Sequence, residues 1–249
     1  MEELAPASYG LDWDNIGLHL GHPKNEVHRI LVTLTITDAV VYKAVNEQVD
    51  LIISHHPLIF KPLKNIRTDL PGGWIIKMLL NNDIAVFCSH TNLDRAPQGL
   101  NYWLAEDLQL KNHKVLAADI ANPDVGLGRI GEISPIALQD LVSRLNSRWH
   151  TKVRYVGAPD HKCEKAAVCG GSGGDLIYQA WFNYADVLIT GDISYHDALD
   201  ARALGIAVID AGHFTTEKIM VEKVAAYLES KLPNVEIIQG IDGDNPFMY

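Results

Sequence analysis

The segment His28–Ser54 reads HRILVTLTITDAVVYKAVNEQVDLIIS, and its pattern indicates the fold class of the chain. Its first seven residues form a short β-branched run that predicts a strand, and Asp50–Ser54 predicts a second strand. Between them, Thr37 or Asp38 is placed to cap a helix that runs through Ala39 to Val49. Strand, helix and strand in this order predict a βαβ unit, in which the two strands are parallel.

The same pattern returns 136 positions later. Ala166–Cys169 predicts a strand, Leu176–Tyr184 predicts a helix, and Asp186–Thr190 predicts the next strand. Strands that are apolar on both faces and alternate with helices are typical of parallel sheets covered by helices. We therefore predict an α/β fold made of two interlocked, pseudo-duplicated lobes with largely parallel sheets and a di-metal site between them.

The stretch between the two copies, from about Leu110 to Lys165, is rich in short strand and turn signals and predicts one helix over Pro135–Asn146. It contains no linker long enough to separate freely moving domains. We place the first lobe at residues 1–110 and the second at residues 111–249, with an approximate boundary.

Composition excludes several classes of function. With 249 residues and 47% hydrophobic residues, the chain is long enough to bury a core without disulfides or a structural metal. It has no apolar run that approaches the roughly 20 residues of a membrane span. A net charge of −10 without a Lys/Arg stripe disfavours nucleic-acid binding. The absence of a secretory signal and the three cysteines without C-x-x-C spacing predict a cytoplasmic protein.

The unusual feature of the composition is its 11 histidines. His55 and His56 follow the second strand of the first βαβ unit, where ligands bind in open α/β sheets. A histidine followed four positions later by an acid ends each copy: His90 with Asp94, and His213 with Glu217.

Each of these residues also has a purely structural explanation. A His-His pair is often a surface feature, Asp94 is placed to cap a turn, and Glu217 in the first turn of the long helix to Leu232 would interact favourably with the helix dipole. Their shared placement at the carboxyl ends of strands favours metal binding instead. Imidazole and carboxylate ligands suit a divalent transition metal (Zn, Fe, Mn or Co), and a carboxylate can bridge two ions.

Seven short motifs occur in order along the chain. They are W-D-N-I-G-L from Trp13, S-H-H-P from Ser54, H-T-N-L-D from His90, G-G-S-G from Gly170, T-G-D-x-x-Y-H from Thr190, G-H-x-x-x-E from Gly212 and N-P-F from Asn245. Together they closely resemble the GTP cyclohydrolase I type 2 homologs, also called Nif-three-like proteins. The resemblance implies two metal ions per chain, held by His55, His56, Asp94, His213 and Glu217, with Glu217 as the bridge. It also implies two similar α/β lobes and assembly into a toroidal homohexamer.

Two departures from the family pattern are visible. Members usually carry a helix before the Ala-Pro that stands here at Ala5, so we expect this chain to be short by one helix. The longer members insert an extra domain in mid-chain, which this sequence lacks.

Further candidates have a weaker basis. His90 is a candidate for supporting a ligand or moving a proton, and Asp192 and His196 are candidates for acid/base work or substrate contact; packing and helix capping are their structural alternatives. The glycine-rich stretch that begins at Gly170 and continues through Gly171, Ser172 and Gly173 is a candidate phosphate cradle, although a tight turn explains it equally well. Cys88 and Cys169 are expected in the core.

The leading functional hypothesis is a divalent-metal-dependent hydrolase with a dinuclear centre, in which metal-bound hydroxide attacks a small, nucleotide-like substrate. GTP is the substrate only by resemblance, and a di-metal phosphoesterase would use the same ligands. The alternative from another class is a metal-binding oligomeric scaffold or regulatory protein without turnover. A nucleophilic cysteine is disfavoured because the cysteines show no local signature of a catalytic thiol.

Overall fold

The computed structural model describes residues 1–240 and 245–247, and these form a mixed α/β structure. The strands are β1 (Gly17–Leu20), β2 (Arg29–Thr33), β3 (Leu51–Ser54), β4 (Ala85–Cys88), β5 (Lys111–Ala118), β6 (Gly126–Ala137), β7 (Arg154–Val156), β8 (Lys162–Ser172), β9 (Val187–Gly191), β10 (Ala207–Asp210) and β11 (Glu236–Gln239). The α-helices are α1 (Asp38–Asn46), α2 (Pro71–Asn81), α3 (Thr91–Arg95), α4 (Leu100–Asp107), α5 (Leu138–Trp149), α6 (Ile177–Phe182), α7 (Tyr195–Leu204), α8 (His213–Glu217) and α9 (Ile219–Lys231).

The chain divides into two compact units. Unit 1 comprises the described residues of Met1–Leu93 and Met220–Pro246, and unit 2 those of Asp94–Ile219 and Phe247–Tyr249. Each unit has its own sheet and its own apolar core.

Unit 1 is built on a five-stranded sheet with the order β1-β4-β3-β2-β11. All neighbours are parallel except β1, which pairs antiparallel with β4. Leu31 of β2 and Ile52 of β3 are fully buried and pack with Val41 of α1 and Leu79 of α2 in one core cluster. The predicted βαβ unit is confirmed as β2, α1 and β3.

The helix of this βαβ unit begins where the sequence predicts. Thr37 is its N-cap, and the Thr37 side chain accepts a hydrogen bond from the Val40 N–H (3.4 Å). The cap satisfies one of the amide groups that have no partner within the helix.

Unit 2 is built on a six-stranded sheet with the order β5-β6-β8-β9-β10-β7. Its centre, β8-β9-β10, is parallel and corresponds to the second predicted copy. The strands from the intervening stretch, β5, β6 and β7, pair antiparallel, which makes this sheet mixed. The helix predicted from Pro135 begins three residues later, at Leu138, because β6 continues through Ala137.

The duplication extends to matching hydrogen bonds in the two units. Asp50 Oδ2 accepts hydrogen bonds from the backbone N–H of Arg29 (2.8 Å) and of the preceding residue. Asp186 Oδ2 accepts them from the N–H of Lys165 (2.8 Å) and of its predecessor. Both carboxylates thus anchor the neighbouring strand at the same place in the unit.

Two local expectations are corrected. Glu217 is the last residue of the short helix α8, not part of the first turn of the long helix, because α9 begins at Ile219 after one intervening residue. Asp94 lies inside the short helix α3 instead of in a turn before α4. Within the described part of the chain, no helix is both long and apolar enough to cross a membrane. All three cysteines are buried, as expected for Cys88 and Cys169.

Candidate functional site

His55 and His56 follow the end of β3 in unit 1, with their ring centroids 5.4 Å apart. His55 is fully buried, and its Nδ1 lies 2.9 Å from the backbone oxygen of Ser89. His56 is half-buried, and its Nδ1 lies 2.7 Å from Thr35 Oγ1. Both rings are therefore oriented through Nδ1, which directs Nε2 away from these two partners.

His90 joins this pair from the end of β4. Its ring centroid lies 5.2 Å from that of His55 and 6.0 Å from that of His56. Its Nδ1 lies 2.9 Å from Asp14 Oδ1. The structure thus brings three of the sequence-predicted histidines together at adjacent strand ends of one sheet.

Asp14, which the sequence analysis did not single out, holds His90 in place. Its buried carboxylate also accepts hydrogen bonds from the Thr91 N–H (3.0 Å) and the Thr91 hydroxyl (2.6 Å). Burial by itself would raise the pKa of Asp14, but the hydrogen bonds from His90 and Thr91 and the attraction of His90 lower it to about 2. The available signal was its place in the motif W-D-N-I-G-L.

In unit 2, His213 and Glu217 lie one turn apart on α8. The distance from His213 Nε2 to Glu217 Oε2 is 3.0 Å, and His213 Nδ1 lies 2.7 Å from Asp192 Oδ2. The hydrogen bond with Glu217 raises the pKa of His213 to about 9 against the opposing effect of burial, and Asp192 adds to the increase. Asp192 therefore supports His213 directly.

The glycine-rich stretch provides the space that Glu217 occupies. A Cβ atom at Gly171, whose φ is +64°, would overlap Glu217 Oε1, so this strand can pass the carboxylate only without a side chain. The Gly170 N–H donates to Asn101 Oδ1 (2.9 Å) and the Gly171 N–H to Thr216 Oγ1 (3.0 Å). These two amide groups already have protein acceptors, and phosphate binding by residues 170–173 stays a prediction.

Asp94 is tied to the same part of unit 2. Its backbone oxygen accepts a hydrogen bond from Asn101 Nδ2 (3.0 Å). Burial raises the pKa of the Cys169 thiol, and the negative charges of Asp94 and Glu217 raise it further. Both carboxylates are therefore close enough to act on one buried sulfur.

His196 has a different environment from the other candidates. It is exposed near the start of α7, and its ring contacts Tyr195 with the centroids 5.6 Å apart. A role for His196 in acid/base chemistry stays a prediction.

Five of these side chains are candidate metal ligands because each offers a nitrogen or carboxylate oxygen donor atom: His55, His56 and His90 in unit 1, and Asp94 and Glu217 in unit 2. Nitrogen and carboxylate oxygen donors are the set that suits a divalent transition metal. The residues present thus fit such an ion.

Comparison with known proteins gives consistent matches over the whole chain. The pattern of the Duf34/NIF3 (NGG1p interacting factor 3) family matches residues 1–246. Proteins named "GTP cyclohydrolase 1 type 2 homolog" from Streptococcus pneumoniae and Clostridium acetobutylicum are each 35% identical to this chain, over 100% of it and 96% of their own length.

Solved structures agree with these matches. A Bacillus cereus protein related to NIF3 superposes with a TM-score of 0.95 at 29% identity, covering 100% of this chain and 96% of that one. Reduced HcgD from Methanocaldococcus jannaschii superposes with a TM-score of 0.82 at 31% identity, covering 97% and 94%.

Proposed function

The chain belongs to the Duf34/NIF3 family, and we propose that it is a divalent-metal-dependent hydrolase whose His55, His56, Asp94, His213 and Glu217 hold two metal ions. The family match and the name of its relatives, "GTP cyclohydrolase 1 type 2 homolog", support a small nucleotide-like substrate. We further propose that the protein is cytoplasmic and assembles into a homohexamer. The mass of the assembly in solution tests the number of subunits.

One observation carries the proposal: the candidate histidines share one mode of orientation. Nδ1 of His55 faces a backbone oxygen, while Nδ1 of His90 and of His213 faces a carboxylate. These oxygen atoms only accept, so Nδ1 carries the hydrogen and Nε2 of the neutral ring has the lone pair. Metal-binding histidines are typically held in this way.

Other histidines of the chain are held differently. His113 uses Nε2 for Glu106 (2.9 Å), and His161 uses Nε2 for the backbone oxygen of Asp186 (3.0 Å). Hydrogen bonding through Nδ1 to an acceptor oxygen is therefore not common to all histidines of this protein.

The pair on α8 links metal binding to proton release. Imidazole and carboxylate groups must lose their protons before they bind a metal ion. His213 Nε2 and Glu217 Oε2 are 3.0 Å apart. A cation would replace the proton that these two atoms share, so metal binding is expected to release a proton.

Two divalent ions, when bound, supply a lowered pKa of coordinated water and polarisation of the substrate. The chain's own contribution is the orientation of the ligands and proton handling. Asp14 fixes His90 through Nδ1, so we assign His90 Nε2 the role of holding or moving a proton during the reaction.

Elemental analysis of the purified, reconstituted protein tests the metal proposal. We expect two divalent ions per chain in the wild type, fewer in His56→Ala, and an unchanged number in His113→Ala, which removes a histidine with its Nε2 occupied by Glu106. One ion or none per chain, unaffected by His56→Ala, would exclude the dinuclear centre.

Turnover tests the enzymatic proposal. The metal-loaded wild type is assayed with GTP, other nucleotides and phosphoesters, beside Glu217→Gln and the exposed control Glu222→Gln. We expect metal-dependent turnover that Glu217→Gln abolishes and Glu222→Gln leaves unchanged. No turnover in the loaded wild type would instead support a metal-binding scaffold.

The variant His90→Gln tests the role assigned to His90. It should lose turnover and retain its metal, whereas a loss of metal would identify His90 as a ligand.

A further inference from the structure

Trp13, in the motif W-D-N-I-G-L, is 58% exposed although tryptophan side chains are highly buried on average. Its indole ring meets the ring of Phe60 edge to face, with centroids 5.9 Å apart and an interplanar angle of 72°. It meets the ring of His90 in a similar way, at 6.3 Å and 77°. Phe60 is itself 49% exposed, so two large aromatic rings face solvent together, and the ring of Trp13 contacts His90.

Hydrogen bonds fix the two chain segments that carry these rings. Asp14, next to Trp13, is bonded to His90 through Nδ1. Asn15 Nδ2 donates to the backbone oxygen of Ile59 (2.5 Å), and the Ile59 N–H donates to His19 Nδ1 (3.3 Å). The segments that carry Trp13 and Phe60 are thus joined to each other, and the first is joined to His90. Because these segments are already fixed, little conformational entropy is lost when a ligand binds the rings.

The charge around Phe60 favours an anionic ligand. Residues 57–68 contain Lys61, Lys64 and Arg67 and no acid, in a chain with a net charge of −10. Arg67 is paired with Asp69 (2.6 Å), whereas both lysines are exposed. A planar ring that carries phosphate combines the two properties that this surface accommodates: a π face for the aromatic rings and negative charge for the lysines.

We propose that Trp13 and Phe60 form a stacking platform for the planar ring of a nucleotide. This platform places the nucleotide beside His90 and selects ligands with a heteroaromatic ring over ring-free phosphates. The inference deepens the proposed function because it names residues that choose the substrate, and it rests on that function only for the reaction, since ring binding is measurable without metal.

Equilibrium dialysis of the chelator-treated, metal-free protein tests the platform. The probes are GMP, AMP and flavin mononucleotide, with ribose 5-phosphate as the ring-free comparison. Because stacking of one base on an aromatic side chain changes affinity by about 5- to 150-fold, we expect the wild type to bind at least one of the three nucleotides about tenfold more tightly than ribose 5-phosphate. Trp13→Leu should remove this preference, and Phe60→Leu should reduce it.

Two further variants make the test specific. Trp181→Leu removes another exposed tryptophan (45% exposed, on α6) and should leave the preference unchanged. Trp13→Phe keeps a ring and should retain most of the preference, with circular dichroism confirming that each variant is folded. A wild type without ring preference, or a folded Trp13→Leu with the wild-type preference, would overturn the platform, including in favour of a macromolecular partner at this surface.

The outcome is separable from that of the proposed function. A Trp13-dependent ring preference without any metal-dependent turnover would support the platform and contradict the hydrolase. Turnover with an unchanged affinity and Michaelis constant in Trp13→Leu would support the hydrolase and contradict the platform.

Discussion

At the scale of single residues, Gly171 shows how backbone and site chemistry are connected. Its φ of +64° and the overlap of a Cβ atom with Glu217 Oε1 both require glycine. We expect Gly171→Ala to destabilise the protein in urea unfolding by about 1–2 kcal/mol for the left-handed backbone plus about 1–3 kcal/mol for overpacking. It should also lower the metal content, because Glu217 must move.

Gly205→Ala is the matched control for this prediction. Gly205 has a similar φ of +77°, but a Cβ atom there would have nothing within 4 Å. We expect only the backbone cost and an unchanged metal content. Equal losses of stability in the two variants would show that crowding of Glu217 is unimportant.

The cysteines give a second residue-scale prediction. Burial raises the pKa of Cys163 to about 11, with a smaller contribution from the charge of Asp186. Because the thiolate is the reactive form, Cys163 in the native protein should not react with Ellman's reagent at pH 8, and its reactivity should increase only as the pH rises towards 11. All three thiols should react after unfolding in guanidinium chloride. Rapid labelling of native Cys163 at pH 8 would contradict the buried placement.

At the scale of elements, the two βαβ units share a strand anchor. Asp50 and Asp186 each accept two backbone hydrogen bonds of 2.7–2.8 Å at the start of a neighbouring strand. We expect Asp50→Ala and Asp186→Ala to lower the free energy of unfolding by similar amounts, about 1–3 kcal/mol each, because in each case two backbone amide groups lose a charged acceptor. Urea unfolding measures both, with the exposed Asp160→Ala as a control that should change stability by less than about 0.5 kcal/mol.

The equivalence of the two anchors makes this a test of the duplication itself. A large loss at one aspartate and none at the other would mean that the two units use the shared pattern differently. Similar losses would show that elements 136 positions apart in the sequence are equivalent in energy as well as in geometry.

The elements also show what local pattern can and cannot predict. The βαβ units follow from apolar strands, a capping threonine and strand order, all of which act over short distances. Strand β6 was not predicted at its full length, because its glycines and Pro135 are typical of turns and only its pairing with β5 and β8 makes it a strand. Helix α5 consequently begins later than the sequence predicts.

At the scale of the whole molecule, the sequence does not reveal which residues far apart in the chain pair with each other. The sequence places His55, His56 and His90 at strand ends, which is enough to predict that they lie close together. It does not show that Asp14 binds His90, because 76 positions separate them. Nor does it show that β11, near the far end of the chain, pairs with β2 and completes the sheet of unit 1.

The same long-range dependence leads to a prediction about metal and stability. The proposed ligands lie far apart in the chain, from His55 to Glu217, so the unfolded chain does not hold them together and an ion binds the native state. A ligand at 100 times its Kd stabilises the native state by about 2.7 kcal/mol. For a chain of 249 residues, this corresponds to a rise in Tm of roughly 5–10 °C.

Differential scanning calorimetry of metal-free and metal-loaded protein measures this rise, which a chelator should reverse. His56→Ala should reduce the rise, because it removes a proposed ligand, whereas His113→Ala should show the wild-type rise. Since the ring of His113 is already paired with Glu106, the comparison separates specific coordination from general binding of cations by an acidic protein. The same Tm with and without metal would contradict ligand binding by the folded chain, and an equal rise in both variants would place the ions elsewhere on the molecule.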